Sequence, residues 1–232
     1  MSVKISSSKK NQKSNKIIFF NENMITNELG KIVGIENTKN FKEFLSKETQ
    51  IIEGKKIFHI NTNSFEKIVF VHIPKETSFI DNERIGADLY NYLQKNIISN
   101  VQILDENIEI FLKKNQLFLN QLIYGFNLKS YQFTKYKSEK KNQVFNIYIS
   151  QKLQNKIFKS DKKFKSLLEG VNLTKNLVSE PGNILHPDEY VKRIQLLKNL
   201  GLRITIYNKR KLKKLGLNAL LGVGQGSQRG SF

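Results

Sequence analysis

Three histidines, twenty acidic residues and one run of closely spaced glycines are the groups in this chain whose types could do chemistry. The histidines, His59, His72 and His186, stand far apart in sequence, and no H-E-x-x-H occurs, so a helical zinc-protease site is excluded. Cysteine is absent, which removes disulfides, Cys-ligated zinc or iron–sulfur centres, and a thiol nucleophile. A catalytic metal needs about three protein ligands. A lone His186 just before Pro187 therefore reads as a capping or surface residue rather than a ligand, and His59 and His72 read as strand residues, packed or at an edge. Gly222, Gly224 and Gly226 could cradle an anion with their amides. A dinucleotide fingerprint, however, needs a third glycine where Ser227 stands and a helix to follow. The expected structure is a tight strand-to-turn entry. Asp188 and Glu189 sit in the first turn of an expected helix, where the macrodipole favours negative charge. Tyr131, Phe133 and Tyr136 beside Lys135, Lys137, Lys140 and Lys141 could stack single-stranded nucleic acid, or could be domain packing next to a solvated lysine loop. No catalytic, metal-binding or substrate-binding residue can be named from these groups.

The charge balance has a bland and a sharp reading. Over 232 residues, 39 Lys+Arg against 20 Asp+Glu give +19, the sign expected of a nucleic-acid partner. The lysines are spread along the chain, however, in small clusters at Lys9–Lys10, Lys135–Lys141, Asp161–Lys165 and Lys209–Lys214. Lys, Asn, Ile and Phe are enriched together while Trp is absent, as A/T-rich codons dictate, so nucleotide bias explains the charge without a partner. Specific nucleic-acid binding is not expected. No apolar run approaches the roughly 18 residues of a membrane span. Ile17–Phe20 is too short for the core of a signal peptide, about 7–15 residues long. The reading is cytoplasmic, with no membrane partner.

The elements that must position any site are short. Residues 1–15 read as a disordered basic tail. Strands are expected at Ile17–Phe20, at Gln50–Glu53 with Ile57–Ile60 as a hairpin around Gly54, and at Lys67–Ile73, the last apolar enough to be buried on both faces. A helix over Asn82–Gln94 with Asn82 as its cap precedes a strand at Val101–Leu104, a single helix over Glu106–Phe126, and a strand at Val144–Ile149. Alternating strands and helices imply a layered α/β domain with a mixed sheet over residues 16–150. A linker helix region spans 151–179, with an apolar stripe over Asp161–Ser179, and stops at Glu180-Pro181-Gly182. A second α/β pattern then begins at 180–232. It comprises a helix from Pro187 to about Leu200, Gly201 past its end, a strand at Leu202–Tyr207, and a short basic helix capped by Asn208 and ending at Gly216.

The order Glu180-Pro181-Gly182-Asn183, Lys214-Leu215-Gly216 and Gly222-Val223-Gly224-Gln225-Gly226-Ser227 resembles the segment joining the two domains of the leucyl aminopeptidase (cytosolic aminopeptidase) family. There a linking helix ends in N-x-P-x-N, a Pro-initiated helix, a strand and a K-x-L-G helix follow, and a G-V-G-Q-G-S turn comes next. Ser179 replaces the first Asn of that pattern. Upstream, the run from Gly125 through Leu128, Tyr131 and Phe133 to Tyr136-Lys137 is similar to the family's G-x-x-L-x-x-Y-x-F-x-x-Y-K stretch. Where the family often has G-L-G-K after its central strand, this chain has His72-Ile73-Pro74-Lys75.

The resemblance implies a macro-like N-terminal α/β domain with a mixed sheet, a linker helix and an incomplete α/β metallopeptidase domain. It implies a cytoplasmic, hexameric exopeptidase that removes N-terminal residues from peptides with two divalent cations, manganese or zinc. The family's metal ligands lie in V-G-K-G-x-x-F-D-S-G-G and N-T-D-A-E-G-R motifs, and neither occurs in these residues. The chain is thus expected to be an N-terminal part that binds no cation and is inactive alone. The alternative is a non-catalytic basic α/β module for nucleic acid or a phosphorylated ligand.

Overall fold

The computed structural model describes residues 3–8, 14–21, 57–62, 66–138 and 144–226. Two units divide within a long helix, at Met1–Gly170 and Val171–Phe232.

The first unit is built on strands whose sequences leave no polar face. In β2 (Asn15–Phe20) the run Ile17-Ile18-Phe19-Phe20 is buried throughout, and in β4 (Lys67–His72) so is Ile68-Val69-Phe70-Val71. Continuous apolar strands of this kind belong in the middle of a sheet covered on both sides. With β1 (Val3–Ser7), β3 (Ile57–Asn61), β5 (Asn100–Ile103) and β6 (Phe145–Ile149) they form a six-stranded sheet of order β1-β6-β5-β2-β4-β3. All pairs are parallel except the β3–β4 edge. The mixed α/β class expected from the sequence is the one observed.

Register sorts the central side chains. Ile17 and Phe19, opposite Val69 and Val71, enter the main core. The other face carries Ile18, Phe20, Phe58, Ile68 and Phe70, where Phe58 stacks on Phe70 with centroids 5.1 Å apart and meets Phe20 edge-on at 5.8 Å.

Helix α1 (Phe79–Lys95) buries Ile85, Leu89, Tyr90 and Leu93 in the main core. Its cap is Ser78, not Asn82. The Asp81 amide donates to Ser78 Oγ at 3.2 Å and the Ser78 amide to Asp81 Oδ2 at 2.9 Å, a reciprocal capping box that begins the helix earlier than expected. Asn82 is instead fully buried and donates from Nδ2 to Gln121 Oε1 at 2.8 Å.

The single helix expected over Glu106–Phe126 is two, α2 (Asp105–Lys114) and α3 (Phe118–Lys129). Asn115 makes the break: its Oδ1 accepts the Leu117 amide at 2.9 Å and its Nδ2 donates to Gln121. An asparagine side chain that bonds the backbone two residues on competes with helix continuation. α1 and α3 cross where both helices have glycine. A Cβ on Gly86 would fall on the Leu122 carbonyl, and one on Gly125 on that of Glu83.

Within the stretch 1–15, expected to be a disordered tail, Val3–Ser7 form a strand, while residues 1–2 and 9–13 lie outside the described residues. Val3–Ser7 pair in parallel with β6 from Val3↔Phe145 to Ser7↔Ile149, because Val3 and Ile5 supply the alternating apolar face that an edge strand needs. The hairpin partner Gln50–Glu53 lies outside the described residues, and β3 pairs with β4.

α4 (Gln151–Ser179) is longer than its apolar stripe, starting directly after β6. Ser150 begins it, accepting the Leu153 amide at 3.1 Å while donating to Asp105 at 2.5 Å. Beyond Ser179, the second unit holds α5 (Pro187–Gln195), a 3₁₀ turn at Leu196–Leu200, α6 (Lys209–Lys214) and α7 (Asn218–Gln225).

Candidate functional site

The segment that follows α4 holds the motif positions, and its geometry starts with a proline. Pro181 stops the helix, and its carbonyl then accepts both the Ile184 and Leu185 amides at 2.9 Å, folding residues 181–185 into a compact turn. The turn delivers His186 to the N-cap and Pro187 to the first position of α5, as the sequence suggests. Glu180, whose side chain is 2% exposed, accepts Arg193 Nη1 at 2.8 Å. Arg193 Nε reaches Glu189 at 3.0 Å, so one guanidinium ties the residue after α4 to the first turn of α5. The hydrogen bond from Arg193 holds the Glu189 carboxyl below its ordinary range, and the two carboxylates raise Arg193. Sequence reading missed Arg193. The i,i+4 spacing to Glu189 was its available signal.

An apolar groove of about 530 Å³ lies between the start of α5, residues 204–207 and the helices α6 and α7. Tyr190, Ile194, Ile204, Ile206, Leu212 and Leu220 line it. The strand expected at Leu202–Tyr207 is not formed, since no described strand lies beside it to take its amides and carbonyls, and Leu202 is left 54% exposed. The glycine segment is likewise not a turn. Gly222 and Gly224 lie within α7, where i→i−4 bonds satisfy the backbone without a partner, although each glycine costs about 1 kcal/mol relative to alanine. Ser227 lies outside the described residues. Gly201 (φ 84°) and Gly216 (φ 71°) end their helices in the left-handed region, as expected, and Asn208 accepts the Lys211 amide as the cap of α6.

The three histidines are not brought together. His59, on β3, makes a 2.6 Å hydrogen bond through Nδ1 to the Tyr92 hydroxyl of α1. Burial first, and then the Lys67 charge, lower the His59 pKa, while burial pushes Tyr92 up to about 12. Both shifts favour the uncharged forms of the pair. His72 ends β4 with its ring 5.4 Å from that of Phe20. His186 makes no capping bond, and its buried Nδ1 has no hydrogen-bond partner. Among the described residues no three His, Cys, Asp or Glu side chains cluster so as to hold a metal ion. In the aromatic–basic stretch, Phe133 meets Tyr136 edge-on at 5.8 Å and Lys135 Nζ sits 5.3 Å above the Tyr136 ring. Lys140 and Lys141 lie outside the described residues.

Comparison with known proteins places this segment. Residues 172–232 match the model of the cytosol aminopeptidase family, catalytic domain. A probable cytosol aminopeptidase of Phytoplasma mali is 33% identical over 184 residues, covering 75% of this chain and 36% of the relative. Among solved structures, a mutant of tomato leucine aminopeptidase superposes with TM-score 0.69 at 16% identity, covering 93% of this chain and 46% of that one. A bottromycin maturation enzyme in complex with Mn superposes with TM-score 0.59 at 13% identity, covering 93% and 43%. These two likenesses are of fold. The chain spans about a third of the length of the curated relative and under half of either solved chain.

Proposed function

The chain belongs to the cytosol (leucyl) aminopeptidase family, and from that premise we propose that its 232 residues are the N-terminal α/β domain and the first part of the peptidase domain of a two-metal exopeptidase. The whole enzyme would release N-terminal amino acids from peptides in the cytoplasm, assembled as a hexamer. The observation that carries this reading is the match of residues 172–232 to the catalytic-domain model, which begins in the last turns of α4 and takes in the Pro181 turn.

The residues present do not fit the two cations, manganese or zinc, that the reading requires. His186 offers one buried nitrogen, but among the described residues no three His, Cys, Asp or Glu side chains gather to hold a metal ion, and the acidic neighbours Glu180 and Glu189 are held by Arg193. No step of the reaction is therefore assigned to these side chains. Their proposed part is positional: the Glu180–Arg193–Glu189 clamp fixes the entry into the peptidase domain, and the groove beside residues 204–207 offers apolar surface to the rest of that domain.

The test is a chimera. Residues 1–232 are fused to the part of a related aminopeptidase that carries the K-G-x-x-F-D-S-G-G and N-T-D-A-E-G-R motifs, and release of leucine from a leucyl anilide is followed with added Mn²⁺. The chimera is expected to turn over and to be silenced by a chelator, while the 232-residue chain alone shows no turnover. A folded but inactive chimera, or chelator-sensitive turnover by the chain alone, would overturn the reading.

A further inference from the structure

A cavity of about 260 Å³ lies wholly within the first unit, between β1, α3 and α4. Its walls are mostly apolar: Val3 and Ile5 come from β1, Ile123 from α3, and Ile157, Phe164 and Leu168 from α4. Close-packed interiors leave few voids of that size. A water takes up roughly 30 Å³, so the space suits an apolar side chain better than a single solvent molecule. A concave apolar pocket with a few polar groups converging on it is the usual form of a small-molecule site.

The polar groups in this lining are specific. Asp161 and Lys165, one turn apart on α4, are joined at 2.6 Å, and with side chains 22% and 60% exposed they stand at the mouth. Their bond exhausts neither: an ammonium has three protons to donate, and a carboxylate has a second oxygen to accept. Asn127 donates from Nδ2 to the Ile123 carbonyl at 2.9 Å, and Gln154 accepts Ser7 Oγ on Oε1 at 3.5 Å. The Asn127 oxygen and the Gln154 amide protons are left over among the described residues. Tyr124 is 8% exposed, and its hydroxyl has no hydrogen bond among the described residues. Burial first, and then the Glu83 charge, raise its pKa, so the phenol keeps a proton to donate.

These groups sort by sign. Asp161 and the Asn127 oxygen accept, while Lys165, the Gln154 amide and the Tyr124 hydroxyl donate. A fatty acid would bring its carboxylate beside Asp161, and an amine would bring its ammonium beside Lys165. Either puts like charges together. A zwitterion opposes each charge with its opposite, because its ammonium and carboxylate are as close to one another as those of the Asp161–Lys165 pair. We propose that this cavity binds a free apolar α-amino acid, its side chain among Ile5, Ile123, Phe164 and Leu168, its ammonium on Asp161 and its carboxylate on Lys165. Such an amino acid is also the product class of the proposed exopeptidase, but the site stands on the cavity alone.

The experiment titrates the full, isotope-labelled chain with L-leucine and follows amide chemical shifts. Saturable shifts are expected at Val3, Ile5, Tyr124, Phe164 and Leu168, with a Kd of about 0.1–1 mM for a ligand of this size. Isocaproate (leucine without its ammonium), isoamylamine (leucine without its carboxylate) and glycine should each bind at least about tenfold more weakly. This series needs no variant, so it tests the charge pattern on the unaltered chain. Asp161→Asn should weaken leucine about tenfold without weakening isocaproate, and Lys165→Gln should do so without weakening isoamylamine. Three outcomes would overturn the proposal: no saturable shift up to about 20 mM leucine, shifts confined to the second unit, or isocaproate or isoamylamine binding as tightly as leucine.

Discussion

Ile97 is a non-glycine residue with φ 56°, held there by the end of α1. The Ile97 amide donates to the Gln94 carbonyl and the Ile98 amide to that of Leu93, a Schellman arrangement that buries Leu93 and Ile98 and leaves Ile97 84% exposed. A β-branched side chain in that conformation costs about 1–2 kcal/mol, so Ile97→Gly should stabilise the chain by about 1 kcal/mol in urea denaturation. Gly125→Ala should do the reverse, by about 3 kcal/mol or by loss of folding, because the added methyl meets the Glu83 backbone rather than a side chain that can move. The His59–Tyr92 pair predicts how stability depends on pH. His59 has a lowered native pKa, so its contribution is complete above the unfolded value of 6.5 and is lost as pH falls below it toward the native value. Tyr92 has a raised one, so its contribution is complete below pH 10 and is lost as pH climbs from there toward about 12. Denaturation midpoints across pH should fall at both ends. Tyr92→Phe should lessen the alkaline fall, to which Tyr90 and Tyr124 also contribute, and His59→Phe should lessen the fall that begins below pH 6.5.

Among the elements, the helices differ in what holds them. α1 carries its own start and stop signals, and its apolar spacing agrees with the core it meets, so it was readable in sequence apart from the identity of its cap. The α2–α3 break was legible only in hindsight, since a lone asparagine in an apolar run says nothing until its side chain finds Leu117 and Gln121. α7 relies mainly on its own hydrogen bonds: none of its residues is buried, and Val223 is 79% exposed, although Leu220 lines the groove. A Cβ on Gly222 meets nothing within 4 Å. Gly222→Ala should therefore strengthen α7 by about 0.5–1 kcal/mol, read as slower amide exchange over residues 221–226. Unchanged or faster exchange would show that the segment is not a helix in solution.

At the scale of the molecule, the +19 charge is borne mainly by lysines, and α6 packs five cations into six residues with Leu212 alone buried. Where such charge follows from codon bias, duplex DNA should bind weakly, without sequence preference, and with affinity that falls steeply with salt. Anisotropy with unrelated duplexes at about 150 mM salt measures this. Nanomolar affinity for one sequence would favour the basic binding module over the bystander surface. The described residues contain no helix long and apolar enough to cross a membrane.

The sequence by itself determined the mixed α/β class and the doubly buried strands, because a continuous run such as Ile17-Ile18-Phe19-Phe20 has one stable environment. It also determined the Pro181 stop, the Pro187 start and the two left-handed glycines, because these are properties of single residues and their neighbours. Only the tertiary structure decided that Val3–Ser7 is a strand, because a short edge forms when β6 offers it a ladder. It alone decided that Leu202–Tyr207 is not one, because apolar alternation makes a strand only where a neighbouring strand takes its amides. The helical form of the glycine run has the same origin: backbone groups without a cross-strand partner bond to their own chain.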